Sequence, residues 1–183
     1  MQVTRFDVPD VMLIEPKVHV DDRGYFTERY KRSAFHEIGL TNEFIQDNYS
    51  VSRPGILRGL HYQWDKPQGK LVTCVQGKIL DVAVDVRANS PTFGKYVSAE
   101  LSGDKPQWLW VPAGFAHGFC VIGGASAHVM YKVDNDYNPK GEGGIRWDDK
   151  DLRIDWPKVD YFVHPKDSVL QTFSEYSKAP VFT

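Results

Sequence analysis

Gly77-Lys-Ile-Leu-Asp-Val-Ala-Val-Asp-Val-Arg87 is the stretch whose reading decides the fold. Leu80, Val82, Val84 and Val86 fall on one side of it, and Asp81, Ala83, Asp85 and Arg87 on the other. A period of two sustained over this length is the pattern of a half-buried strand. Lys70 to Val75 reads as a second strand, with Gln76-Gly77 as a tight connection between the two. Gln107 to Val111 alternates Trp108 and Trp110 against Leu109 and Val111, bracketed by Pro106 and Pro112. Ala127 to Val133, Val11 to Ile14 and Gly24 to Tyr30 are further strand candidates. Helix signals are sparse. Ser33 is placed to cap a short helix carrying Phe35 and Ile38 that stops at Gly39, and another starts near Pro165. Many short strands divided by turn residues predict an all-β sandwich, jelly roll or barrel with short peripheral helices.

Composition agrees. Five Trp, nine Tyr and ten Phe bring aromatics to 13%, while 15 Gly and 11 Pro supply turns. The 183 residues hold no repeat or linker-like tract and read as a single domain over 1–183. A chain of this size buries about 70% of its unfolded surface, enough for a core without staples. A net charge of −2 argues against a nucleic-acid coat or a basic membrane-surface helix. No apolar run reaches the roughly 18 residues of a membrane span. Met1 to Asp10 lacks a signal-peptide pattern, so the expected location is cytoplasmic. Cys74 and Cys120 form no CxxC pair and read as buried reduced thiols.

Six histidines are present. His36 and His128 read as structural or surface groups. His61 and His117 lie among glycines and strand signals, which makes them better site candidates. Pro112, Gly114 and His117 fit the short P-x-G-x-x-H motif of the cupin superfamily, and Gly55 and His61 fit the start of its other motif. This resemblance implies a double-stranded β-helix, the jelly roll. A metal-binding cupin requires a second histidine where this chain has Gln63, and a glutamate where it has Pro67 and Gln68. Amides do not replace imidazole and carboxylate as metal ligands, so no metal is expected. Freed from metal duty, His61 is a proton acceptor at neutral pH, since unperturbed imidazole titrates near ~6.5. Arg58 and Lys70 are either solvated surface charges or an anion clamp. Tyr131 is either a packing residue or an acid, because a phenol stays protonated at pH 7. Asp167 alone reads as a capping residue, and Arg23-Gly24 as a turn into a strand.

Taken in order, the segments resemble one family more closely. They are Asp22-Arg-Gly-Tyr-Phe-Thr-Glu28, Gln46-Asp-Asn-Tyr-Ser50, Gly55-Ile-Leu-Arg-Gly-Leu-His-Tyr-Gln63 and Pro67-Gln-Gly-Lys-Leu-Val72. The strand Gly77–Arg87, then Ser90-Pro-Thr-Phe-Gly94, Pro112-Ala-Gly-Phe-Ala-His-Gly-Phe119 and Tyr131-Lys132 continue the match. Gly144-Ile-Arg-Trp147, Ile154-Asp-Trp-Pro157 and Lys166-Asp167 close it. The chain is thereby similar to the dTDP-4-dehydrorhamnose 3,5-epimerases over nearly its whole length. That resemblance implies cofactor-free conversion of dTDP-4-dehydro-6-deoxy-D-glucose into dTDP-4-dehydro-L-rhamnose, for bacterial surface polysaccharides such as O-antigen. The C4 ketone acidifies the protons at C3 and C5.

By the same resemblance His61 is the base, Asp167 orients its ring, Tyr131 is the acid and Lys70 faces the enolate oxygen. Arg23, Glu28, Gln46, Asp47, Asn48, Arg58, His117, Glu142 and Lys166 are implied substrate contacts, and Tyr137 the platform under thymine. A homodimer is implied, Arg23 and Glu28 reaching the partner's site. The chain departs from the family pattern at Tyr49, where many members have histidine, and at Asp136, where many have a second aromatic. Both departures adjoin implied contacts and so bear on the choice of sugar. An epimerase acting at C3 alone or C5 alone, a 3,4-ketoisomerase, a non-catalytic sugar-binding jelly roll and a metal-dependent cupin oxygenase are the competing expectations.

Overall fold

A computed structural model describes all 183 residues. Fourteen strands and three short helices follow in the order β1 (Gln2–Arg5), β2 (Met12–Glu15), β3 (Val18–Asp21), β4 (Gly24–Thr27), α1 (Arg32–Glu37), β5 (Gln46–Ser52), β6 (Ile56–Gln63), β7 (Lys70–Gln76), β8 (Lys78–Asp85), β9 (Tyr96–Ser102), β10 (Trp108–Val111), β11 (Phe115–Ile122), β12 (Ala127–Val133), β13 (Glu142–Gly144), β14 (Phe162–Val163), α2 (Pro165–Ser168) and α3 (Phe173–Tyr176). One sheet has the order β1-β2-β10-β7-β12-β5. The other has the order β13-β6-β11-β8-β9, with β14 added in parallel to β6. Every other pairing is antiparallel. The two sheets face each other as the cupin-type jelly roll that the strand pattern and motifs predict. No helix is long and apolar enough to cross a membrane.

One expectation about the deciding stretch holds and one is corrected. Gln76-Gly77 is the tight connection expected between the two strands, but it does not close a hairpin. β7 pairs with β10 and β12, whereas β8 pairs with β9 and β11, so the single residue Gly77 carries the chain from one sheet to the other. Nor is β8 half-buried. Val82, Val84 and Val86 pack outward against Leu152, Trp156 and Tyr176 of the C-terminal segment. Ile79 and Ala83 join the core between the sheets. Asp81 and Asp85 share that inward face and are fully buried. The alternation was read correctly, but neither face meets solvent, because the residues after β13 fold back over the outer one.

The outer face of the first sheet is covered in the same way. Phe35 of α1 and Leu40 lie on Met12, Ile14, Leu71, Trp108 and Trp110. Ser33 is not the cap of this helix. Lys31 holds that place in extended conformation without a side-chain hydrogen bond. The C-terminal end matches expectation: Gly39 N–H donates to His36 O and Leu40 N–H to Phe35 O, the paired bonds of a glycine-terminated helix.

The site depends on one irregularity. His117 of β11 lies opposite His61 of β6, but Phe119 lies opposite Arg58, so β6 spends three residues where β11 spends two. Such a bulge turns Arg58 and His61 to the same side, where a regular strand would separate them. The strands approach closely here. A Cβ on Gly118 would sit 2.6 Å from Arg58 O and 3.1 Å from Gly59 Cα, with no flexible side chain to yield at either. Gly118→Ala is therefore expected to cost about 1–3 kcal/mol, as overpacking does. Thermal or denaturant unfolding measures it, and unchanged stability would mean that the bulge relaxes freely.

Candidate active site

Between the sheets opens a cavity of about 590 Å³, adjoining a second of about 280 Å³. His61, Lys70, Tyr131 and Glu142 line both, so the two are lobes of one cleft. His61 and Arg58 project from β6, His117 from β11 and Glu142 from β13, all in one sheet. Lys70 projects from β7 and Tyr131 from β12 in the facing sheet. Asp167 and Lys166 come from α2, whose N-cap His164 accepts the Lys166 N–H through Nδ1. Four residues distant in sequence (His61, Lys70, Tyr131 and Asp167) thus meet as the resemblance implied.

His61 Nε2 and Asp167 Oδ1 are 2.8 Å apart, and Asp167 Oδ2 accepts the Gly59 N–H at 3.2 Å. Burial pushes the Asp167 carboxyl up, but the bonds from His61 and Gly59, with the nearby His61 charge, prevail and hold it below the ordinary carboxylate range. With one ring nitrogen committed to this carboxylate, Nδ1 of His61 stays unengaged and can accept a proton. Burial raises the Tyr131 phenol, Arg58 opposing and Glu142 reinforcing. Tyr131 is therefore a proton donor at neutral pH. Burial also pulls the Lys70 ammonium down to about 8, while Asp81 and Glu142 hold against it. At pH 7 most of Lys70 remains a cation, but one close to its titration. A base, an acid from the opposite wall and a fixed cation can together remove a proton beside a carbonyl, stabilise the enolate and return the proton.

Arg58, His117, Glu142 and Lys166 line the larger lobe. Gln46, Asn48 and Tyr137 line the smaller, where Tyr137 donates to Glu142 Oε2 at 3.0 Å. Arg58 is exposed at the cleft but anchored through Nε on Ser52 Oγ, and Lys70 is only partly accessible. Three residues in the implied contact set lie elsewhere. The Asp47 carboxylate turns to the outer face of the sheet and pairs with Lys132 at 2.8 Å, because inward and outward positions alternate along β5. Arg23 and Glu28 line neither lobe. Arg23 pairs with Asp21 on the exposed β3–β4 hairpin, and Glu28 with Lys31. The departure at Tyr49 also points outward, its hydroxyl 2.5 Å from His128 Nδ1. That contact gives His128 a partner on the surface, in keeping with the reading of it as a surface group.

Gln63, standing where a metal-binding cupin has histidine, donates to Lys66 O and Asp136 O and accepts from Asn138 N–H. Its amide is spent on the loops at the cleft rim. Sequence reasoning did not single out Asp81, whose Oδ1 lies 2.8 Å from His117 Nε2, or His164 in the cleft wall. Asp81 was visible only as one polar residue in the alternation of β8. Its contact lies 36 residues away in sequence.

The sequence profile described as dTDP-4-dehydrorhamnose 3,5-epimerase matches residues 5–175. The chain is 48% identical over 175 residues to the dTDP-4-dehydrorhamnose 3,5-epimerase of Shigella flexneri, covering 94% of this chain and 96% of that one. Its counterpart in Pseudomonas aeruginosa is 49% identical over 161 residues, 87% of this chain and 88% of the other. Among solved structures, the dTDP-6-deoxy-D-glucose-3,5-epimerase of Legionella pneumophila in complex with dTDP-4-keto-L-rhamnose superposes with a TM-score of 0.91. It shares 42% identity, covering 94% of this chain and 93% of that one.

The depressed Asp167 carboxyl links the site to stability. A group whose value falls on folding contributes stability above its unfolded value, about 3.9, and loses it as pH drops through the folded value. The gap in unfolding free energy between the wild type and Asp167→Asn is expected to be constant above about pH 5 and to narrow below about 3.9. Denaturant titrations across that range measure it. A gap independent of pH would remove the ionised pair from the account.

Proposed function

The chain belongs to the dTDP-4-dehydrorhamnose 3,5-epimerase family, and from that premise we propose how its cleft inverts C3 and C5 of dTDP-4-dehydro-6-deoxy-D-glucose to give dTDP-4-dehydro-L-rhamnose. We read the whole chain, 1–183, as one epimerase domain. The observation that carries the mechanism is the opposition of His61 of one sheet, held by Asp167 of α2, to Tyr131 and Lys70 of the other.

The C4 ketone acidifies the neighbouring C–H bonds. His61, its ring fixed by Asp167, takes a proton from one face. Charge moves to the C4 oxygen, where the Lys70 ammonium stabilises it. Tyr131 returns a proton from the opposite face, which inverts the centre. Each proton-transfer group contributes roughly 10²–10⁴-fold. Only protons move, so the reaction as proposed uses no cofactor. Arg58, His117 and Lys166 hold the sugar diphosphate end in the larger lobe. Gln46, Asn48 and Tyr137 hold the nucleoside in the smaller, with thymine on the Tyr137 ring after its hydroxyl leaves Glu142. The product serves surface polysaccharide synthesis such as O-antigen. The free buried thiols Cys74 and Cys120 support a cytoplasmic location.

We further propose a homodimer. The β3–β4 hairpin exposes Val18, Val20, Tyr25 and Phe26, an apolar surface that a two-stranded ribbon does not sustain alone in water. Docked on a second copy, that hairpin would carry Arg23 and Glu28 toward the other cleft. Sedimentation is expected to report about twice 20.9 kDa, and Phe26→Asp to shift the protein toward the monomer. A wild type that sediments as a monomer at working concentration overturns the dimer.

Incubation with the dTDP-4-keto sugar in D₂O tests the reaction. Deuterium at both C3 and C5 is expected, and label at one carbon alone would make the enzyme a monoepimerase. His61→Ala is expected to abolish exchange and epimerisation together. Tyr131→Phe is expected to slow net epimerisation by about 10²-fold or more while sparing proton removal. Full turnover by Tyr131→Phe would sink the assignment of the acid.

A further inference from the structure

We propose that Asp81, which does not itself line the cleft, is a positioning residue for the reaction: one carboxylate oxygen fixes the His117 ring and the other supplies the counter-charge that keeps Lys70 cationic beside the C4 oxygen. The inference rests on the reading of Lys70 as the cation facing the enolate.

Four observations carry it. Asp81 has no exposed surface, and β8 aims it inward between the sheets. Its Oδ1 lies 2.8 Å from His117 Nε2, and His117 is itself only 8% exposed. Its Oδ2 is buried and has no hydrogen-bond partner. No lysine or arginine lies within ion-pair distance of Asp81, whose one close partner is the His117 ring. A buried carboxylate with one bare oxygen is costly and persists only where something compensates it. The lysine whose charge this carboxylate supports is Lys70 of the facing sheet, for which Asp81 is the leading opposite charge, ahead of Glu142.

The groups facing Lys70 are Asp81 from β8, Glu142 from β13, Tyr131 from β12, His61 and Arg58 from β6, and His117 from β11. Two are carboxylates, and of these Asp81 alone is fully buried, where its field is least screened. Burial works against the charge on this lysine, and these carboxylates oppose that effect. The same carboxylate sets the tautomer of His117. A proton on Nε2 directed at Asp81 leaves Nδ1 as an acceptor, so the neutral ring can receive a sugar hydroxyl but cannot compete with Tyr131 as an acid.

The test is the pH profile of kcat/KM for wild type, Asp81→Asn and Lys70→Arg. Wild type is expected to lose activity as pH rises through about 8, when Lys70 gives up its proton. Lys70→Arg, weaker throughout, is expected to lack this alkaline limb, because guanidinium does not titrate there. Asp81→Asn keeps the shape and an acceptor for His117 but not the charge. Its limb is expected about one pH unit lower, giving about tenfold less activity than wild type near pH 9 and a difference within about threefold near pH 6.5.

A limb absent from Lys70→Arg but unmoved in Asp81→Asn overturns the role of Asp81 alone. A limb that persists in Lys70→Arg overturns the reading of Lys70, and the proposal with it. Should Asp81→Asn fail to fold, ¹⁵N spectra of imidazole-labelled wild type decide. In the neutral ring of His117, the Nε2–H tautomer supports the proposal and the Nδ1–H tautomer overturns it.

Discussion

The carboxylate of Asp167 closes the structure at the point where the chemistry happens. It accepts from His61 and from the backbone N–H of Gly59, two residues apart on the same bulged strand. The bulge sends Leu57 and Leu60 outward into the cluster with Trp156 and Tyr176, and leaves Arg58 and His61 in the cleft. Without Asp167, the Gly59 N–H would be buried with no partner, a loss of about 1–3 kcal/mol. The contact therefore holds the irregular strand in shape, locks the C-terminal segment across the second sheet and orients the base. A residue read from sequence as an ordinary cap does all three because α2 lies over β6.

β8 shows how a buried carboxylate can serve structure or function. Asp85 and Asp81 are four residues apart on the same inward face, and neither is exposed. Asp85 is saturated. It accepts from Arg87 Nε at 2.9 Å, from Ser90 Oγ at 2.6 Å and from Thr92 Oγ1 at 2.6 Å, and Arg87 also stacks over Phe115. Its charge is used up within the chain, and it rigidifies the turn after β8. Asp81 has one oxygen satisfied and one bare. Only an unsaturated carboxylate leaves field to act on a neighbour, and the neighbour it acts on is a lysine of the opposite wall.

Much of this was legible in the sequence, and what was hidden shares one cause. Alternation in Gly77–Arg87 gave the strand and its two faces correctly, but periodicity says which residues share a face and nothing of what covers it. The outer face of β8 is apolar because Trp156 and Tyr176 lie on it, and the inner carries two aspartates because His117 answers one and Arg87, Ser90 and Thr92 the other. Gly59 flagged an irregular strand, yet the sign of the irregularity came only from the His117–Phe119 register opposite. The missing cap on α1 is of the same kind: Phe35 docking on Trp108 and Trp110 sets where that helix starts, and Ser33 falls inside it. His61–Asp167 and His117–Asp81 span 106 and 36 residues. Local physics does not reach that far. The first pair was anticipated through family resemblance, and the second was not.

Charge is the last place where the folded chain says more than its composition. A net charge of −2 conceals Arg58, Lys70 and Lys166 around one cavity, opposed by Asp167 and Glu142. Asp167 is already spent on His61, and Glu142 on Tyr137. The cleft thus gathers three cations where a doubly charged diphosphate and a developing enolate would both need them. Arg23, the remaining basic residue of the implied contact set, sits on a hairpin outside the cleft with an 86% exposed side chain. In the proposed dimer the same contact would cover the apolar surface of the hairpin and bring Arg23 toward the anion in another copy's cleft.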